Sequence, residues 1–188
     1  MATPEQVRDL INKMAEERAS LIAAARSLSA EDSLRIPVDA EDEEQWTARE
    51  QLAHLNEMER TYDGWVKAAL AEDGADLAGI AWQSVSVPIE EANQHPIEAL
   101  LRNLELERAY TLGLIDGIPL DRFDNVGVSP IFGRLTVLQW LRSFYRHDRQ
   151  HAAQIQGRAS DYKPNFVGKE PNQRKARIEL VARKQVKG

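Results

Sequence analysis

Thr136-Val137-Leu138-Gln139 opens a strongly amphipathic run that continues through Phe144-Tyr145-Arg146-His147-Asp148-Arg149-Gln150-His151 and stops at Gly157. Thr136 with Gln139 three residues later forms a capping box, and glycine just past an apolar-periodic stretch is a helix stop. Between these signals Trp140, Phe144, His147, His151 and Ile155 recur at intervals of three and four, so they share one helix face. Both imidazoles therefore lie on the stripe that should point into a core. Two inward imidazoles cost desolvation unless something satisfies their nitrogens, and a divalent metal that takes neutral imidazole does that well.

Working outward, two more capping boxes mark two more helices. Thr3-Pro4-Glu5-Gln6 starts the first, with proline at the first helical position. Its apolar stripe, Val7, Leu10, Ile11, Met14, Leu21, Ile22 and Ala25, is broken only by Arg18, and it predicts a helix to about Leu28. The segment Ser29 to Gln45, with Pro37 and the acidic run Glu41 to Glu44, reads as a loop. Thr47-Ala48-Arg49-Glu50 starts the second, which Leu52, Leu55, Met58, Tyr62, Trp65, Val66 and Ala69 carry to about Ala71. Asp73 to Pro96 is a long connection with room for a short extended piece near Val85 and Val87. Pro96 opens a further helix with Leu100, Leu101, Leu104, Leu106, Tyr110, Leu112 and Ile115 as its expected core set, ended by Gly117-Ile118-Pro119. Residues 119–135 read as the next loop. The expected fold is all-α, a four-helix bundle with long connections and a basic C-terminal tail. The bundle takes residues 1–160, and 161–188 form an extension in which Glu170 to Lys184 offers a short fifth helix.

The chain of 188 residues is long enough to bury a core without staples, and it has no cysteine. That removes disulfides, thiolate zinc sites and cysteine nucleophiles. The net charge of −6 is uneven: residues 163–188 carry eight Lys or Arg against two Glu, which leaves about −12 on the rest. An acidic body argues against nucleic-acid binding by the bundle. A polar N-terminal stretch and the lack of any apolar run of bilayer length point to a cytoplasmic, soluble protein with no membrane partner.

Two other histidines exist. His54 shares an inward-leaning face with Met58 and Trp65 in the second turn of its helix, whereas His95, before Pro96, is expected to be exposed. Three histidines on inward stripes of two helices could be packed core residues or metal ligands, and spacing alone leaves both readings open.

The pairing of Trp46-Thr47-x-x-Glu50-x-Leu52-x-His54-Leu55 with the later His147-x-x-x-His151-x-x-Gln154-Ile155 resembles the DinB/YfiT-like superfamily. The resemblance spans residues 4–157. It implies a four-helix bundle with His54, His147 and His151 as ligands of a divalent metal. It also implies activity as a metal-dependent hydrolase or as an S-transferase using a low-molecular-weight thiol, on a small-molecule substrate. Members often dimerise, which leaves room for a homodimer.

Three neutral imidazoles would leave a bound cation its full charge and at least one open position, the pattern of catalytic rather than structural zinc. Zn, Ni, Fe and Mn all accept imidazole, and the residues do not choose between them. Glu57, one turn after His54, is the better candidate for a general base, although a solvated helix-face carboxylate is the simpler reading. Asp148 is expected to pair with Arg149 or another surface cation, and Arg146 and Arg149 to be exposed charges balancing the acidic body. Trp46, Trp65 and Trp140 read as core, and Trp82 as a pocket wall. The competing reading of the whole chain is a non-catalytic metal- or ligand-binding bundle involved in stress response.

Overall fold

A computed structural model describes residues 1–36, 46–80 and 84–168. The four expected helices are present: α1 (Pro4–Arg26), α2 (Ala48–Ala71), α3 (Ile97–Asp116) and α4 (Val137–Ile155). All three capping boxes form, with the Thr3, Thr47 and Thr136 hydroxyls accepting from the backbone of Gln6, Glu50 and Gln139. Gly157 adopts φ +67. The N–H groups of Gly157 and Arg158 donate to the carbonyls of Gln154 and Ala153, each at 2.9 Å, which closes α4 with the double bond of a Schellman turn.

Helix α1 packs on α4 and more lightly on α3, while α2 packs on both α3 and α4. Two of the three pairs of helices adjacent in sequence are thus diagonal in the bundle, α1 from α2 and α3 from α4. A diagonal crossing cannot be made with a tight turn, which accounts for the long connections on either side.

The connections after α2 and after α3 carry structure that periodicity did not reveal. Strand β1 (Ala75–Asp76) runs parallel to β2 (Val126–Ser129), which forms an antiparallel hairpin with β3 (Gly133–Thr136). The extended piece expected near Val85 and Val87 lies instead at Ala75–Asp76, and the stretch read as a loop at 119–135 contains a 3-10 turn (Leu120–Asp124) and the hairpin. Gly127 lets the strand lie close to the indole. A Cβ there would sit 2.8 Å from Leu77 Cδ1 and 3.1 Å from Trp140 Nε1, so a side chain would have to displace both buried neighbours. Strand β3 passes directly into Thr136, the cap of α4, and so the hairpin is anchored to the helix that carries both histidines.

The core is two apolar clusters. One gathers Leu10, Met14, Met58, Tyr62, Trp65, Trp140 and Phe144; the other gathers Leu21, Trp46, Leu52, Leu101, Leu104 and Ile155. Two residues of the expected α3 core are wrong: Leu106 and Tyr110 are 69% and 54% exposed. Arg108 and Thr111 are buried in their place, because α3 turns a polar stripe toward a charged layer between the clusters.

That layer ties all four helices together. Arg18 on α1 donates to Asp148 through Nε and Nη2, each at 3.0 Å, to the Leu104 carbonyl at 2.8 Å, and to Glu59. Arg108 donates to Glu59 Oε1 at 2.7 Å, Asp148 Oδ2 at 2.9 Å and the Met14 carbonyl at 2.9 Å. Two guanidiniums face two carboxylates, so the buried charge is balanced. The one break in the α1 stripe, Arg18, is therefore a core residue that brings its own counterions. Asp148 is 1% exposed and does not pair with Arg149, which correlates with the α4 face it occupies: one step round from the histidines points toward α1 and α3 rather than toward solvent.

Asp63 sits at the edge of this layer, accepting from the Thr111 hydroxyl. Burial, with the nearby Glu59 carboxylate, pushes its carboxyl up to about 7. A folded-state value above the unfolded one means that the unfolded chain ionises first, so stability should fall as pH rises from about 4 to about 7. Asp63→Asn keeps an acceptor for Thr111 and removes this penalty. We expect the variant to exceed the parent by about 2–4 kcal/mol at pH 8 and to match it at pH 4, read from urea denaturation at the two pH values.

Candidate metal centre

His54, on the inward face of α2, meets His147 and His151 from α4, and the three side chains present nitrogen atoms that all lie within 4.8 Å of one another. His147 Nε2 is 3.3 Å from His54 Nε2 and 3.0 Å from His151 Nε2. Two nitrogens each about 2.0–2.1 Å from a tetrahedral zinc lie about 3.3 Å apart, so this spacing suits imidazoles sharing one ion. His54 is 1% and His151 0% exposed, while His147 is half-buried, so among the described residues the cluster is open on its His147 side.

The hydrogen bonds around His151 set its tautomer. The Trp46 carbonyl can only accept, and it takes the Gln51 side-chain amide at 3.2 Å. That turns Gln51 Oε1 toward His151 Nδ1, at 3.1 Å, so Nδ1 carries the proton and Nε2 presents its lone pair to the other two histidines. Burial pushes the His151 imidazole down to about 4, against the opposing pull of Asp148 and Gln154. It is neutral, as a ligand must be, at any pH above about 5. Gln51 was not singled out in the sequence; the signal that could have found it is its place three residues before His54 on the same face of α2. Replacing Gln51 with Leu should weaken metal binding about 10- to 100-fold while leaving helicity unchanged, as measured by competition with a chromogenic chelator.

Glu57 is 6% exposed, which overturns the solvated helix-face reading. Its Oε1 accepts from the Ile89 backbone N–H at 3.4 Å, because the 3-10 turn Ile89–Gln94 closes over this part of α2. His95 stands apart from the cluster and is half-buried rather than exposed, its carbonyl accepting from Arg49 at 3.0 Å. Arg149 pairs with Asp161, as a surface charge should. Among the described residues Arg146 has no such pair; its guanidinium lies over the Tyr145 and Tyr162 rings, 5.9 and 5.8 Å from their centroids. Trp46, Trp65 and Trp140 are buried, and Trp82 lies outside the described residues, as do the Glu170 to Lys184 segment and most of the basic tail.

A four-helix bundle with diagonal crossings, carrying three convergent histidines from its second and fourth helices beside a buried charged layer, defines the class of this protein. The chain belongs to the DinB superfamily, whose family model matches residues 13–155. It is 24% identical over 125 residues to the uncharacterized protein YuaE of Bacillus subtilis (strain 168), a match covering 60% of this chain and 76% of that one. Its fold is similar to that of YfiT from Bacillus subtilis, described as a probable metal-dependent hydrolase with an unusual four-helix bundle topology. The TM-score is 0.67 at 17% identity, over 83% of this chain and 87% of that one. Among the described residues no helix is long and apolar enough to cross a membrane.

Proposed function

We propose that His54, His147 and His151 bind one divalent metal ion and that the protein is a metal-dependent hydrolase acting on a small electrophilic substrate. The observation that carries this reading is the convergence of the three imidazoles, with His147 Nε2 3.3 Å from His54 Nε2 and 3.0 Å from His151 Nε2, all three ligand nitrogens within 4.8 Å of one another, and the His151 lone pair aimed inward by Gln51. An ion held by three neutral ligands supplies Lewis acidity and makes water a nucleophile near neutral pH. The chain's own part is to hold the imidazoles neutral and oriented, and to keep water out on the His54 and His151 sides. Glu57, buried one turn from His54, is the proposed general base. The family resemblance and the description of YfiT support hydrolysis. With no cysteine in the chain, thiol transfer would need a free low-molecular-weight thiol as co-substrate.

Metal analysis by plasma mass spectrometry, followed by ester and amide turnover with and without added thiol, tests the proposal. About one ion per chain and turnover abolished by chelator, with helicity retained, is the expected result. A protein that takes up no Zn, Ni, Fe or Mn sinks it, and one that unfolds on chelation makes the ion structural. Turnover only with thiol would convert the hydrolase into a transferase at the same centre.

A further inference from the structure

The histidine cluster opens on a cavity of about 200 Å³ between α4, the tip of the β2–β3 hairpin and the strap of residues 162–166. This is small beside typical ligand pockets of roughly 300–1,000 Å³, a size for a single-ring molecule. His147 is the one histidine of the cluster on its wall.

Three features of this cavity call for a ligand. Among the described residues its lining holds two cations, Arg146 and Lys163, and no carboxylate, although the chain as a whole is acidic. Neither cation has an ion-pair partner among the described residues; the Arg146 guanidinium lies over the Tyr145 and Tyr162 rings, a contact that uses no carboxylate and leaves its charge unbalanced at the cavity wall. Second, Gln150, 7% exposed, lines the wall, and its side-chain oxygen is buried with no hydrogen-bond partner among the described residues. A buried carbonyl oxygen left unpaired costs free energy that a ligand N–H or O–H would recover. Third, one part of the wall is aromatic, with Phe132 against Trp140 at 5.7 Å and against Phe166 at 5.4 Å.

We propose that this cavity is the substrate subsite of the histidine centre and takes a small organic anion with a flat apolar body. Its carboxylate is held by Arg146 and Lys163, and a hydrogen-bond donor is turned to Gln150. Lys163 and Phe166 lie beyond the residues matched by the family model, so part of the selectivity comes from this chain's own strap, which is pinned by the Val167 N–H on the Ile131 carbonyl at 2.9 Å. As a substrate site the cavity rests on the metal-centre reading; as an anion-binding site it does not.

Calorimetric titration of the full chain after chelator treatment tests it, using 4-hydroxybenzoate as probe and its uncharged amide, 4-hydroxybenzamide, as control. The acid should bind at least tenfold more tightly than the amide, and Arg146→Gln, a half-buried position that should fold normally, should abolish that preference without changing amide binding. Equal binding of acid and amide, unchanged acid binding by Arg146→Gln, or no binding of either at about 10 mM overturns the proposal. Because the titration is made without metal, a protein that binds the acid but takes up no metal would refute the centre and leave the anion pocket standing. Loss of acid binding in a protein that still loads one ion would do the reverse.

Discussion

Glu59→Ala should destabilise the bundle by about 3–5 kcal/mol, the largest stability effect expected of a single substitution here. Glu59 is 3% exposed and accepts from Arg18, from Arg108 and from the Thr111 hydroxyl. Its removal leaves two buried guanidiniums facing Asp148 alone, and an uncompensated buried charge costs far more than the net worth of an intact pair. The Asp148 carboxyl shows the strength of the coupling. Burial opposes its ionisation, yet Arg18 and Arg108 together hold it below the usual carboxylate range. Urea denaturation followed by circular dichroism reads the change, with Glu98→Ala as control. Glu98 pairs with Arg26 at the surface, both about half exposed, and its loss should cost less than about 1 kcal/mol. A Glu59→Ala cost as small as the control's would mean that water enters the layer and screens it.

His151→Ala should have the largest effect on function, taking the metal from near one ion per chain to none and turnover to background, with the four helices kept. The loss of a buried side chain should itself cost about 1–3 kcal/mol. The sharper readout is linkage. The parent should gain about 2.7 kcal/mol of stability at an ion concentration a hundred times its dissociation constant, and the variant nothing. If the variant unfolds readily and the parent shows no ion-dependent gain, the three imidazoles are packing residues and the metal-centre reading fails.

Much of this architecture was legible in the residues. Capping boxes and 3.6-residue stripes are local, and they placed α1, α2 and α4 to within about two residues. The inward faces of His54, His147 and His151 followed from the same periodicity, since a position three or four residues from a core leucine or tryptophan must share its face. The hairpin was not legible, because Val126-Gly127-Val128-Ser129 is too short to show alternation and is held by the Trp140 indole from another element.

Charged residues mark the sharper boundary. Arg18, Glu59, Arg108 and Asp148 come from four different helices, and each taken alone looks like a solvated side chain or a flaw in a stripe. Burial of a charge depends on its counterion, and here the counterions lie 40 to 130 residues away in the chain. The helices, their faces and the three histidines were determined by the sequence itself, through interactions within a few residues. The diagonal packing that brings the histidines to one point, the neutral charged layer beside them and the cationic pocket in front of His147 arose only when distant segments met, because desolvation and pairing energies have no local signature.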